Sequence, residues 1–173
     1  MKLLARATFL AALALPAIAP AEPTGAGGQA PPNAEVLLLE VIENWLVERF
    51  DLQPGSEPPG LAFADPERLT AMRYGSAAAG TAADVLGVYN DDETTIYLRA
   101  GSDVGVAAYV SVIVHEMVHH LQGSAGQRFA CPAEREVTAY DAQDAWLRLF
   151  GLSLASEFGI DEGTRKLRTM CAY

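Results

Sequence analysis

His115-Glu116-Met117-Val118-His119 has the residue types and spacing for metal-assisted hydrolysis. Positions four apart share a helical face, so the two imidazoles can converge on one ion. Glu116 lies one residue further round the axis, where its carboxylate can reach a water on that ion without ligating it. Two neutral nitrogen ligands, an open position for water and a carboxylate base are what a hydrolytic zinc site uses. By chance the pattern should arise in roughly one chain of this size in a few hundred. Context argues further against chance, because the motif closes an apolar helical stretch where an unpartnered carboxylate and histidine pair would be costly. The chain has 3 histidines, and all fall within residues 115–120.

Catalytic zinc takes a third protein ligand and keeps its fourth position open. His120 points about 100° away from His119 and is a poor ligand for the same ion. It is expected to pack or hydrogen-bond near Glu116. The remaining candidates are carboxylates on the following helix: Glu134, Glu136, Asp141 and Asp144. A short loop makes that helix antiparallel to the first, so its early turns pass His119 and favour Glu134 or Glu136. Glu136 shares a stripe with Tyr140, Gln143, Trp146 and Leu147, a partly aromatic seam that should face the motif helix. Glu134 falls in a solvated row with Thr138, Asp141 and Arg148. Glu136 is therefore the preferred ligand and Glu134 the alternative. Tyr140 could donate a hydrogen bond to a developing oxyanion, or serve only as a core aromatic.

His115-Glu116-x-x-His119, followed by Glu136-x-x-Ala139-Tyr140 on the next helix, resembles the zincin superfamily in its gluzincin-like branch, whose third ligand is a glutamate. The run His-Glu-apolar-apolar-His-His-apolar-Gln is similar to that of small exported bacterial proteins. The resemblance spans about residues 85–147. It implies a minimal zincin-like domain and a zinc-dependent metallopeptidase acting on peptides or proteins. His115, His119 and Glu136 would be its ligands and Glu116 its base. The substrate domain of larger members is not recognisable. The alternative is a non-catalytic zinc-binding or protein-interaction domain on the same core.

The rest of the chain must position and deliver this site. Residues 1–21 have a basic start (Lys2, Arg6), an apolar run and Ala19-Pro20-Ala21, the grammar of a secretory signal peptide. The run is too short to span a bilayer comfortably, so no stable membrane span is expected after cleavage. Residues 22–33 read as a flexible Pro/Gly/Ala tether and 34–173 as one domain. Losing two basic residues and no acids takes the net charge from −10 to −12. So acidic a surface argues against nucleic-acid partners and weakly favours cationic or neutral substrates. Cys131 and Cys171 allow a single disulfide, fitting a periplasmic or secreted protein. It would pin the start of the Glu136 helix to the C-terminus.

Asn33 should cap a helix to about Phe50, burying Val36, Leu38, Leu39, Ile42, Trp45, Leu46 and Phe50. Residues 61–64 read as a short strand and Asp65-Pro66 as a helix start. Residues 75–81 suggest a mobile loop, and 85–89 with 94–98 a hairpin. The strand from Thr94 to Arg99 could offer an edge to an extended peptide. Asp103 should cap the motif helix, which stops near Gly123. Further helices are expected from Pro132 to about Phe150 and from Asp161 to about Met170. The fold class is α+β, mostly helical, with a hairpin or three-stranded sheet beside the motif helix.

Overall fold

A computed structural model of the protein describes residues 34–75 and 85–171. The expected signal peptide, tether and Asn33 cap and most of the expected mobile loop lie outside the described residues. Within them the chain runs α1 (Ala34–Phe50), β1 (Gly60–Ala64), α2 (Pro66–Tyr74), β2 (Gly87–Asn90), β3 (Thr95–Arg99), α3 (Ala107–Ser124), α4 (Glu136–Arg148), α5 (Leu154–Phe158) and α6 (Glu162–Thr169). This is an α+β fold built on a three-stranded mixed sheet of order β1-β3-β2.

β2 and β3 form the expected antiparallel hairpin, while β1 pairs in parallel with the other side of β3 from Gly60↔Thr95 to Ala64↔Arg99. β3 is therefore central, and both of its edges are filled. The expectation that Thr94 to Arg99 could receive a peptide fails for that reason. Alternation along the strands divides the sheet into two apolar faces. Ile96 and Leu98 join the main core with α1, α3 and α4, whereas Val88 and Tyr97 pack with Leu69 of α2.

α3 is the structural axis. Every residue from Val110 to Gln122 is buried, because the sheet covers one side of the helix and α1 and α4 cover the other. A helix enclosed in this way is apolar around most of its circumference. Leu39, Ile42 and Leu46 of α1 enter the same core, and Trp45 meets Trp146 of α4 edge-on at 5.2 Å. Val36 stays half-exposed, leaving the α1 stripe narrower than its apolar spacing suggests.

Helix boundaries follow local hydrogen bonding. Asp65 caps α2 through Oδ1, which accepts from Arg68 N at 2.7 Å. Asp103 does not cap α3. Its Oδ1 accepts from Gly105 N within a turn, and the helix starts at Ala107 without a side-chain cap. α4 starts at Glu136, not Pro132. The residues before it form successive turns, with Glu136 N donating to Ala133 O and Val137 N to Glu134 O. α5 went unanticipated, although Ser153 and Ser156 form a reciprocal capping box at its start. The Cys131–Cys171 disulfide is present, with a Cα–Cα distance of 5.9 Å. Among the described residues no helix is long and apolar enough to cross a membrane.

Candidate metal centre

Helical spacing on α3 brings the His115 and His119 rings to a centroid distance of 5.0 Å. α4 packs against α3 and supplies Glu136. Its Oε2 lies 3.1 Å from His115 Nε2 and 3.5 Å from His119 Nε2. All three side chains are buried, and their ligand-capable atoms lie within 4.8 Å of one another. The structure therefore brings together the three residues singled out as ligands. Glu134 is exposed and turned away, its Oε2 accepting from Ala130 N.

Two glutamines fix the imidazole tautomers. Gln122 Nε2 donates to Arg135 O at 3.0 Å, and a carbonyl can only accept, so Gln122 Oε1 must be the atom facing His119 Nδ1 at 3.1 Å. Ser111 Oγ spends its proton on Ala108 O and therefore accepts from Gln143 Nε2 at 3.3 Å. That orientation turns Gln143 Oε1 towards His115 Nδ1, again at 3.1 Å. Both Nδ1 atoms thus carry the donated proton, and in the neutral rings both Nε2 lone pairs face Glu136 Oε2. Arg135 Nε also lies 3.3 Å from His119 Nδ1. With that nitrogen's proton committed to Gln122, the contact is an approach of two donors.

Three converging acceptors need something positive between them, either protons on the imidazoles or a metal ion. Nitrogen, nitrogen and carboxylate oxygen form the donor set of a His2Glu zinc site, and orienting groups on the distal ring nitrogens are typical of metal-bound histidines. The residues present fit the ion. Burial pushes the Glu136 carboxyl up, but with protons on the imidazoles the hydrogen bonds donated by His115 and His119 outweigh this and hold it far below the usual carboxylate range. It is an anion when it meets a cation. Arg73 Nη2 donates to its other oxygen, Oε1, at 3.0 Å.

Glu116 is placed by the sheet. Arg99 N donates to Leu86 O, so Leu86, Val88 and Asn90 turn their peptide groups towards β3, and Gly87 and Tyr89 turn theirs outward. The outward Tyr89 N donates to Glu116 Oε2 at 2.8 Å. Gly87 permits this approach. A Cβ there would lie 2.6 Å from Val112 Cγ1 and 3.2 Å from Glu116 Cγ. Tyr140 meets the His115 ring edge-on at 4.8 Å, and its hydroxyl accepts from Arg168 Nη1 at 3.1 Å. Burial, against the pull of Arg168, raises the phenol's pKa, so it keeps its proton at neutral pH. His120 does not approach Glu116. It bonds Tyr89 OH and Glu57 O, each at 3.0 Å, tying the segment after α1 and strand β2 to the motif helix.

Residues 30–160 match the family described as a domain of unknown function (DUF6647). The chain belongs to that family. No curated protein and no solved structure matches the chain.

In this DUF6647 chain the candidate ligand set opens into a cleft of about 630 Å³, walled by α2, β2, α3, α4 and the α5–α6 segment. The sequence reading placed Gln143 on the Glu136 face towards the motif helix but assigned no role to it or to Gln122, three positions after His119; helical periodicity puts both within reach of the imidazoles. Arg73 had no such signal, standing 63 residues from the carboxylate it holds.

Proposed function

We propose that this protein is an exported zinc-dependent metallopeptidase of gluzincin type, hydrolysing peptide bonds with Glu116 as general base. One observation carries the reading: His115, His119 and Glu136 converge their lone pairs at the floor of an open cleft, with Glu116 beside them, whose Oε1 has no hydrogen bond among the described residues. A zinc ion held there would lower the pKa of a bound water towards neutrality and polarise the scissile carbonyl.

The chain's own residues do the rest. Tyr89 N occupies Glu116 Oε2, leaving Oε1 to take the proton from the attacking water and pass it to the leaving amine. Tyr140, protonated at neutral pH, donates to the oxygen that gains charge. The outward edge of β2 lines the cleft, and with Tyr89 N committed to Glu116 its Gly87 peptide group and Tyr89 carbonyl can pair with an extended peptide. The disulfide and the signal-peptide grammar of residues 1–21 favour the periplasm or the cell exterior.

The test is to purify the oxidised mature chain, measure bound metal, and compare wild type with Glu116→Gln on a mixed peptide library. Stoichiometric zinc in both proteins, with cleavage lost only in the variant, supports the peptidase. Zinc without cleavage by the wild type favours a non-catalytic zinc-binding module. A chain that binds no zinc refutes both.

A further inference from the structure

We infer that the cleft selects peptides bearing a free carboxylate beside the scissile amide, and that Arg73 and Arg135 recognise it. The inference rests on the peptidase reading and names its substrate class.

The chain is acidic, with a net charge of −10, yet its cleft is not. Arg73, Arg135 and Arg168 line it, and the acids beside them are Glu116, Glu136 and Glu157. Glu116 and Glu136 are set against a divalent ion in the loaded site. Among the described lining residues, Arg73 and Arg135 alone then outnumber the remaining acid, Glu157, which makes the cleft locally cationic inside an anionic protein. A concave site with low-dielectric walls focuses such a field. The overall charge, which weakly favoured cationic substrates, therefore points the wrong way for the site itself.

Position narrows the choice of anion. Arg73 is one hydrogen bond from Glu136, and its side chain is 48% exposed. Arg135 is half-buried, with Nε against His119. A guanidinium carries five N–H donors, and each of these contacts involves one nitrogen, leaving planar donor pairs directed elsewhere. Planar donor pairs match a carboxylate bidentately. Both arginines line the cleft and touch a proposed ligand residue, so a carboxylate held by either lies near the attacked carbonyl. An extended chain advances about 3.3–3.6 Å per residue, which places that carboxylate within about one residue of the scissile bond. A C-terminal α-carboxylate and an Asp or Glu side chain both meet this requirement.

Equilibrium binding tests it without turnover. Zinc-loaded Glu116→Gln protein is titrated with fluorescent peptides that are matched except for one group: an internal Glu with an amidated end, a free C-terminal carboxylate, an internal Gln with an amidated end, or an internal Lys with an amidated end. At least one carboxylate peptide should bind about tenfold or more tightly than its neutral counterpart, the scale of a charge-assisted contact, and which one does so identifies the source. Arg135→Gln and Arg73→Gln, added singly with zinc content checked, should each pull the ratio towards one, and Arg135→Lys should restore part of it. Equal or weaker binding of both carboxylate peptides overturns the inference whether or not the variants fold. A ratio unchanged in both arginine variants overturns the assignment to these residues. Wild-type digestion of the same peptides keeps the two readings apart. Cleavage without preference defeats the substrate class and leaves the peptidase standing. A preserved binding ratio without cleavage does the opposite.

Discussion

α3 and the start of α4 reach the same candidate metal centre by different physical routes. On α3 the histidines are four residues apart in a helix buried from Val110 to Gln122, so helical geometry alone sets their separation and the core holds their direction. Glu136 is the first helical residue of α4 and follows a stretch of turns with exposed Glu134. Its position depends on tertiary supports: Arg73 on Oε1, Gln122 on the neighbouring Arg135 carbonyl, and the disulfide at Cys131. Two of the proposed ligands are thus local consequences of sequence spacing, and the third is held from outside its own segment.

The largest effect should come from removing that third ligand. Glu136→Ala should weaken zinc binding by far more than the ten- to hundredfold cost of losing an outer hydrogen-bond partner, and it removes the carboxylate to which Arg73 donates. Glu134→Ala should bind zinc as the wild type does, because its carboxylate only closes a turn to Ala130 N. Competition with a calibrated chelator measures both, and the opposite ranking would exchange the two assignments.

Next in size is the disulfide. Replacing Cys131 and Cys171 by serine opens a loop of sequence separation 40, worth about 4 kcal/mol in the chain-entropy model. If the α4 start is held from outside, zinc affinity should fall at temperatures where far-UV circular dichroism still reports a folded chain. Zinc affinity indifferent to the loss of the bridge would show that Glu136 is positioned by α3–α4 packing alone.

The same division explains what the sequence made legible. The His115/His119 pair, the buried Glu136 face and the Asp65-Pro66 start of α2 are periodic or capping signals, written in residues a few positions apart. The central place of β3 was not legible, because it depends on parallel pairing with β1 across α2 and β2. Nor was the late start of α4. There Pro132, Glu134 and Glu136 carry ordinary helix-start signals, but the Glu134 carboxylate turns back to Ala130 and the backbone forms i to i+3 turns instead. His120 was misplaced for a similar reason. Its partners, Tyr89 and Glu57, come from a strand and a loop that no helical projection includes.

The smallest effects should come from the two glutamines, and they cut across the comparison most finely. Gln143 reaches from α4 to His115 and Ser111 on α3, whereas Gln122 reaches from α3 to the Arg135 carbonyl at the start of α4. Replacement by leucine removes the acceptor for one imidazole N–H in each case and frees that ring to change tautomer. A ten- to hundredfold loss of zinc affinity is expected for such a change, with the fold retained. The two losses should not be equal. Gln143→Leu loosens His115, while the rest of α3 still holds its ring in the core. Gln122→Leu loosens His119 and also releases the backbone carbonyl one residue before Glu136, so it disturbs two ligands and should fall at the upper end of the range. Combining it with Glu136→Ala should then add less than its separate effect, because part of that effect runs through Glu136. Full additivity in that double-mutant cycle would mean that Gln122 acts on His119 alone and that the α4 start is held independently of the motif helix.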